Sequence, residues 1–262
     1  MGELTSPAFW DAHYEGRLPQ PFDPTDWRDY VTIQLARLLA SLGLADKRVL
    51  EIGGGDARLL AWLAKTHPSG RFAVLDRSSK GCSLARSRAR NEKVPLDVYE
   101  GDMFAPPAEL VGAFDVVISL GLIEHFQDTS EAIAAKRVFL KPGRVMFSLI
   151  PNLASPIYRY LTRRWSVRVL NMHVVLSLAK LVQAHMKAGL EVIDYGYLGS
   201  VEFGMLSMAA RDLPREARLD RALYLWLTRL SKAVHWFEYH VRDLPTTRTL
   251  SPFLWVVAKR CD

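Results

Sequence analysis

From residue 47 onward the chain alternates short apolar runs with amphipathic stretches of about ten residues, and no other feature restricts the fold as strongly. RVLEI, RFAVLD, LDVYEG, FDVVISL and RVMFSLI have the length and the branched or aromatic content of strands. Between them ARLLAWLAKTH, SLARSRARNE and SEAIAAKRVFL place apolar residues at helical spacing, the last closed by the breaker cluster Lys141-Pro142-Gly143. Parallel strands need a crossover of about this length, so the pattern predicts a doubly wound α/β sheet. LSLAKLVQAHMKAG reads as a further helix with Gly189 as its C′ residue. It leads into the strand-like LEVIDYGYLG, and PFLWVVAKR ends the chain as another strand.

Two segments fall outside this alternation. The first reads as loop, with aromatic residues and prolines, and then a helix, WRDYVTIQLARLLASLG. The second contains a long helical stripe of Leu219, Ala222, Leu223, Trp226, Leu227, Leu230, Ala233, Val234, Phe237 and Val241. The expected division is an N-terminal cap segment (1–45), a Rossmann-like core (46–198), a helical cap insertion (199–250) and a final core strand (251–262). The stripe is expected to be buried over the mouth of the site.

Composition narrows the class. The apolar fraction of 49% supports a substantial core within 262 residues. Cys82 and Cys261 are far apart and lack CxxC spacing, which argues against a disulfide framework or a zinc ribbon and for a reducing, cytoplasmic home. The start has no basic region followed by an apolar one, and its loose M-G-x-x-x-S pattern is short enough to arise by chance. No apolar run approaches the roughly 18 residues of a membrane span. From Ala132 to Leu190 there is no acidic residue, while Lys136, Arg137, Lys141, Arg144, Arg159, Arg163, Arg164, Arg168, Lys180 and Lys187 all fall there. That stretch is either a solvated face or a surface that attracts anions.

The stretch VLEIGGGDARLL decides between two kinds of nucleotide cradle. A dinucleotide fingerprint, G-x-G-x-x-G, needs a third glycine where helix and strand pack closely. Counting from Gly53, that position holds Arg58, and Glu51 puts a carboxylate where a pyrophosphate would be repelled. An NAD(P)-dependent oxidoreductase is therefore the disfavoured rival. A carboxylate at a strand end suits a ligand with positive charge nearby.

VLEIGGGDA resembles the first motif of class I S-adenosylmethionine-dependent methyltransferases, [D/E]-x-G-x-G-x-[G/A]. Further elements agree in order: Asp76 in VLDRS, Asp102 in GDMF, the segment FDVVISLGLIEHF and the turn LKPG. The resemblance covers about residues 47 to 150 well. It implies a seven-stranded mixed sheet with helices on both faces, its last strand antiparallel. It also implies S-adenosyl-L-methionine as cofactor, leaving S-adenosyl-L-homocysteine. Glu51, Gly53, Gly54, Gly55, Asp76, Arg77, Asp102, Met103 and Ser119 become the expected cofactor-binding residues. Gly53 and Gly55 would admit the methionyl end close to the backbone, with Glu51 giving negative potential near its ammonium. Asp76 would accept from both ribose hydroxyls, and Asp102 and Met103 would contact the adenine.

Methyl transfer to a hydroxyl requires alignment and loss of a proton. His125 in GLIEHF is the first candidate for that base, and His173 in VLNMHVV is the second catalytic candidate. GLIEHF also resembles the E-x-x-E-H segment of metal-dependent methyltransferases, in which a later histidine completes the set. Glu124 and His125 match, His173 lies in the right region, but Gly121 replaces the first glutamate. Losing an anionic ligand weakens a hard-cation site, so no metal is expected.

Aromatic residues lie in all three variable regions: Phe9, Trp10, His13, Tyr14, Phe22 and Trp27, then Tyr158, Tyr160 and Trp165, then Tyr224, Trp226, Trp236 and Tyr239. Among basic residues they suit a small-molecule, glycan or lipid-like acceptor with an anionic group, methylated on oxygen in preference to nitrogen within a biosynthetic pathway. An RNA acceptor is the alternative, but no recognisable RNA-binding module accompanies the basic stretch. A non-catalytic cofactor-binding partner subunit is the alternative outside catalysis. Peripheral membrane contact and a homodimer are both open as partners of the late helix.

Overall fold

The computed structural model describes residues 2–20 and 22–261. Seven strands form one sheet: β1 (Arg48–Ile52), β2 (Arg71–Asp76), β3 (Leu96–Glu100), β4 (Phe114–Leu120), β5 (Leu140–Pro151), β6 (Leu190–Leu198) and β7 (Phe253–Arg260). Their order is β3-β2-β1-β4-β5-β7-β6. The first five run parallel, and β7 inserts antiparallel between β5 and β6. This is the mixed, Rossmann-like sheet with an antiparallel last strand that the resemblance implies. Strand order reverses between β1 and β4, and the crevice beside their C-terminal ends is where such folds bind ligands.

Helices α2 (Tyr30–Ala40), α3 (Arg58–Thr66) and α4 (Ser79–Glu92) cover one face of the sheet, and α5 (Thr129–Arg137) and α8 (Leu178–Lys187) cover the other. β1 and β4 are buried on both faces, which explains their continuous apolar runs. Gly189 follows α8 with φ +76, the left-handed conformation expected of its C′ position. The cluster Lys141-Pro142-Gly143 does not end the segment as expected. β5 runs through it, with Gly143 at φ +70 and a register shift against β4 absorbing the irregularity.

A third apolar cluster lies beyond the sheet and forms a cap from three places in the chain. It joins α6 (Pro156–Trp165) and α7 (Val167–Asn171) to α9 (Ser207–Arg211) and α10 (Arg218–His240). At the N-terminus, α1 (Pro7–Tyr14) packs on α4. Its signal was present in the sequence: Ser6 accepts from Phe9 N and Pro7 opens the first turn.

The expected burial of the late apolar stripe holds only in part: Leu227 is buried in the cap cluster with Val234 against it, while much of the stripe is exposed. α10 turns Leu227, Ser231, His235 and Glu238 inward. Leu219, Leu223, Trp226 and Leu230 face outward instead. The inward polar groups are matched: Ser231 Oγ accepts from Phe203 N at 2.9 Å, His235 Nε2 lies 2.9 Å from Val201 O, and Glu238 accepts from Ser200 Oγ at 2.8 Å. These bonds hold the inward face against the cap. No helix among the described residues is long and apolar enough to cross a membrane.

Candidate active site

Gly53, which opens the glycine loop after β1, lines a cavity of about 240 Å³. Gly53 and Gly55 take φ of +73 and +52, which branched residues reach only with strain. A Cβ on Gly55 would overlap the Tyr14 hydroxyl, and one on Gly54 would come within 2.7 Å of Val74 Cγ2. Arg58, the residue that breaks the dinucleotide fingerprint, opens α3 and reaches Asp56 at 3.6 Å.

Five of the expected cofactor residues line this cavity together: Gly53, Asp76, Arg77, Asp102 and Met103. Asp76 ends β2 and accepts from Gly55 N and Ser78 N, each at 2.8 Å. Burial pushes its carboxyl up, against the pull of those N–H groups. Arg77 bridges Glu3 at 2.8 Å and Asp102 at 3.8 Å across the cavity edge.

Glu51, Gly53 and Gly54 line a second cavity of about 320 Å³, which shares Tyr14 and Gly53 with the first. Burial raises the Glu51 carboxyl to about 8, helped by Asp56 and Asp76 and opposed by Arg58. A cationic group beside it would restore its ionised form.

Ser119 is placed elsewhere. It is fully buried in β4, and its Oγ accepts from Lys136 Nζ at 2.5 Å. Lys136 also donates to Ser148 Oγ at 2.9 Å, and His185 Nε2 meets that same oxygen at 3.0 Å. Burial lowers the Lys136 ammonium to about 7. This buried chain of polar groups had no signal in the sequence, because its members come from β4, α5, β5 and α8. Ser119 therefore reads as structural here, bonded beneath the sheet and away from the cleft.

The N-terminal aromatic residues are spread over several cavities. Trp10 and Tyr14 line the first cavity, Tyr14 and Phe22 the second, and His13 and Tyr14 a third. The segment is fastened by Leu4 N donating to His125 O at 2.8 Å and Gln127 N donating to Gly2 O at 2.8 Å.

His125 lies at the junction of the first cavity and another of about 300 Å³, which His173, Glu124 and Thr162 also line. The two imidazole rings stand 4.7 Å apart. His125 Nδ1 is 2.7 Å from Met172 O, and His173 Nδ1 is 2.7 Å from Val169 O. A carbonyl oxygen can only accept, so both Nδ1 atoms carry hydrogen and both Nε2 atoms are left as acceptors. Burial lowers His125 to about 4, helped by His173 and opposed by its bond to Met172, and burial also lowers His173.

Glu124 is buried beside them with Oε2 lacking any hydrogen-bond partner, and burial raises its carboxyl to about 8. One ligand atom from each of Glu124, His125 and His173 lies within 4.8 Å of the others, so the donor set fits a divalent cation. Gly121, where the metal-dependent pattern has a glutamate, has φ +73. A glutamate there would be strained, so this backbone disfavours the fourth ligand at that position.

A family profile described as "Methyltransferase domain" matches residues 26–195. A ubiquinone biosynthesis O-methyltransferase of Aromatoleum aromaticum is 29% identical over 147 residues, covering 54% of this chain and 57% of that protein. The chain spans about half the length of the first curated relatives it matches. Among solved structures, a complex between the Haloferax volcanii Trm112 methyltransferase activator and a methyltransferase aligns with a TM-score of 0.62 at 19% identity, over 97% of this chain and 98% of that one. A geranyl diphosphate C-methyltransferase from Streptomyces coelicolor, solved with Mg2+ and S-adenosyl-L-homocysteine, aligns with a TM-score of 0.58 at 13% identity, over 86% and 75%. Identities that low carry the fold alone.

Proposed function

From the premise that this chain belongs to the class I S-adenosylmethionine-dependent methyltransferases, we propose that it methylates an oxygen of a small or lipid-like acceptor bearing an anionic group. The observation that carries this reading is the double placement of His125, whose side chain borders both the cofactor cavity and the neighbouring cavity. The residues of the two cavities fit the cofactor: in the first Asp76 offers acceptors for ribose hydroxyls and Asp102 and Met103 suit the adenine, and in the second Glu51 suits an ammonium. When bound, S-adenosylmethionine supplies an electrophilic methyl on sulfur and a neutral thioether leaving group.

His125 then receives the proton of the acceptor hydroxyl at Nε2 while the O–C bond forms and the C–S bond breaks. An imidazole lowered to about 4 is a weak base toward a neutral hydroxyl. It becomes adequate only as methylation makes that oxygen strongly acidic, so proton loss accompanies methyl transfer. Trp10, with its ring 5.3 Å from that of His125, helps exclude water from the junction.

The anionic group is supported by a basic vestibule of about 600 Å³ lined by His13, Arg17, Arg58 and Arg211, with Asp56 as its one carboxylate. The similarity to ubiquinone biosynthesis O-methyltransferases supports oxygen over nitrogen and a biosynthetic role. A second reading is favoured by the orphaned Glu124 Oε2. In it, Glu124, His125 and His173 would hold a divalent cation, which would lower the pKa of an acceptor hydroxyl.

The test is methyl-label transfer from S-adenosylmethionine to a panel of phenolic and lipid hydroxyls, with and without a phosphate or carboxylate. Product NMR should show a methoxy carbon, and O-blocked analogues should be inert. A label found on nitrogen or carbon would overturn the reading.

A further inference from the structure

We propose that the outward face of α10 is a docking surface for an anionic lipid membrane. The inference is independent of the acceptor proposed above. Leu219 is 86% exposed, Trp226 58% and Leu230 40%, and Ala222, Leu223 and Ala233 continue the same stripe. Their spacing of three and four residues puts them on one side of the helix. The inward side is a separate one, packed through Leu227 and tied down through Ser231, His235 and Glu238. The helix therefore carries two apolar faces, one packed into the cap through Leu227 and Val234 and the other turned to solvent. Contiguous exposure of that kind marks an interaction surface, not ordinary surface scatter.

Charge selects the partner. The two carboxylates of α10 both point into the protein: Asp220 is held by Arg164 at 2.7 Å, and Glu238 is buried. Arg218 and Arg229 border the stripe and form no ion pair among the described residues. The Arg164–Asp220 bridge fastens α6 beside the first turns of α10, and α6 adds exposed Tyr160, Arg159 and Arg163. Part of the acid-free basic stretch of the sequence is thus brought alongside the apolar face. A second copy docked by two-fold symmetry would set this arginine-bordered surface against itself, leaving like charges together. An anionic bilayer answers both features. The apolar side chains enter the headgroup boundary, Trp226 and Trp236 sit at its level, and the arginines meet lipid phosphates.

The full chain would be sedimented with vesicles of phosphatidylcholine alone and of phosphatidylcholine mixed with phosphatidylglycerol, at low and high salt. Binding is expected only with phosphatidylglycerol and should weaken as salt rises. The combined substitution Leu219→Ser, Trp226→Ser and Leu230→Ser should lower the partition coefficient by at least about tenfold. Arg218→Glu with Arg229→Glu should lower it by a comparable factor. Both variants alter exposed side chains, so S-adenosylhomocysteine affinity by calorimetry should stay at the wild-type value and report intact folding. Equal partition on both vesicle types would overturn the proposal, as would variants that bind like wild type. A wild-type dimer by light scattering, dissolved by the triple substitution in a protein that ignores vesicles, would assign the face to a second copy instead.

Discussion

The carboxylate of Asp76 accepts a hydrogen bond from the backbone N–H of Gly55 at 2.8 Å. The end of β2 is thereby tied to the glycine loop that follows β1, and the acid proposed to read the ribose also holds the loop proposed to receive the methionyl end. Asp76→Ala should remove both functions. Charge-assisted hydrogen bonds contribute about 1.5–3 kcal/mol each, so S-adenosylhomocysteine affinity should fall by at least about tenfold. Asp76→Asn keeps one acceptor oxygen and should lose less. Calorimetry on the folded variants checks the order, and an Ala variant that binds like wild type would remove Asp76 from the site.

Gly55 makes a sharper test of where the cofactor lies. Its φ of +52 disfavours any side chain, and a Cβ would run into the hydroxyl of Tyr14. Gly55→Val should therefore abolish measurable cofactor binding in a folded protein. The double variant Gly55→Ala, Tyr14→Ala removes the overlap but keeps the backbone strain of about 1–2 kcal/mol, so it should recover part of the affinity. Full affinity in Gly55→Val would place the cradle elsewhere.

What the sequence made legible follows from how local each signal is. The order of strands and helices, the glycine loop and the acids at strand ends are carried by short segments, and they place the core of the cleft. The face on which α10 packs is not local. Counting apolar residues points to Trp226 and Leu230, but Ser231, His235 and Glu238 find matched partners in residues 200–203, which sequence periodicity cannot see. Ser119 is a similar case. β4 is buried on both sides, so alternation does not say which residue faces the cleft, and Lys136 claims Ser119 from a different helix. Tyr14 was visible as one aromatic among many, and only the packing of α1 on α4 brings it against Gly55.

Acid stability should depend on Asp115 at the far end of β4. Burial raises its carboxyl, but the N–H of Arg48, the bond to Lys141 at 3.0 Å and the charges of Lys141 and Arg144 outweigh that and lower it on balance. A carboxyl with a folded pKa below its unfolded value of about 3.9 stabilises the fold above that value. The contribution is lost as pH falls through the folded pKa. Asp115→Asn should therefore be less stable than wild type near neutrality, and the gap should close toward the bottom of the acid limb. Urea midpoints measured across that range check the sign, and a gap that widens in acid would contradict it.

The base and metal readings of the His125 site separate on Glu124. In the proposed mechanism His125 receives the proton, so His125→Ala should lower turnover by roughly 10² to 10⁴ with cofactor affinity unchanged. Glu124→Gln preserves shape in a buried position and should leave most turnover intact, and a chelator should have no effect. His173→Ala should act mildly, since its ring stands beside His125 without bonding to it. The alternative predicts a different set of results. A cation held by one carboxylate and two imidazoles would be lost with any of the three, so Glu124→Gln and His173→Ala would be as damaging as His125→Ala. Chelator would then abolish wild-type turnover, and added Mg2+ or Mn2+ would restore it. Turnover that falls with chelator and with Glu124→Gln together would replace the base by the cation; turnover indifferent to both would leave Nε2 of His125 as the proton acceptor.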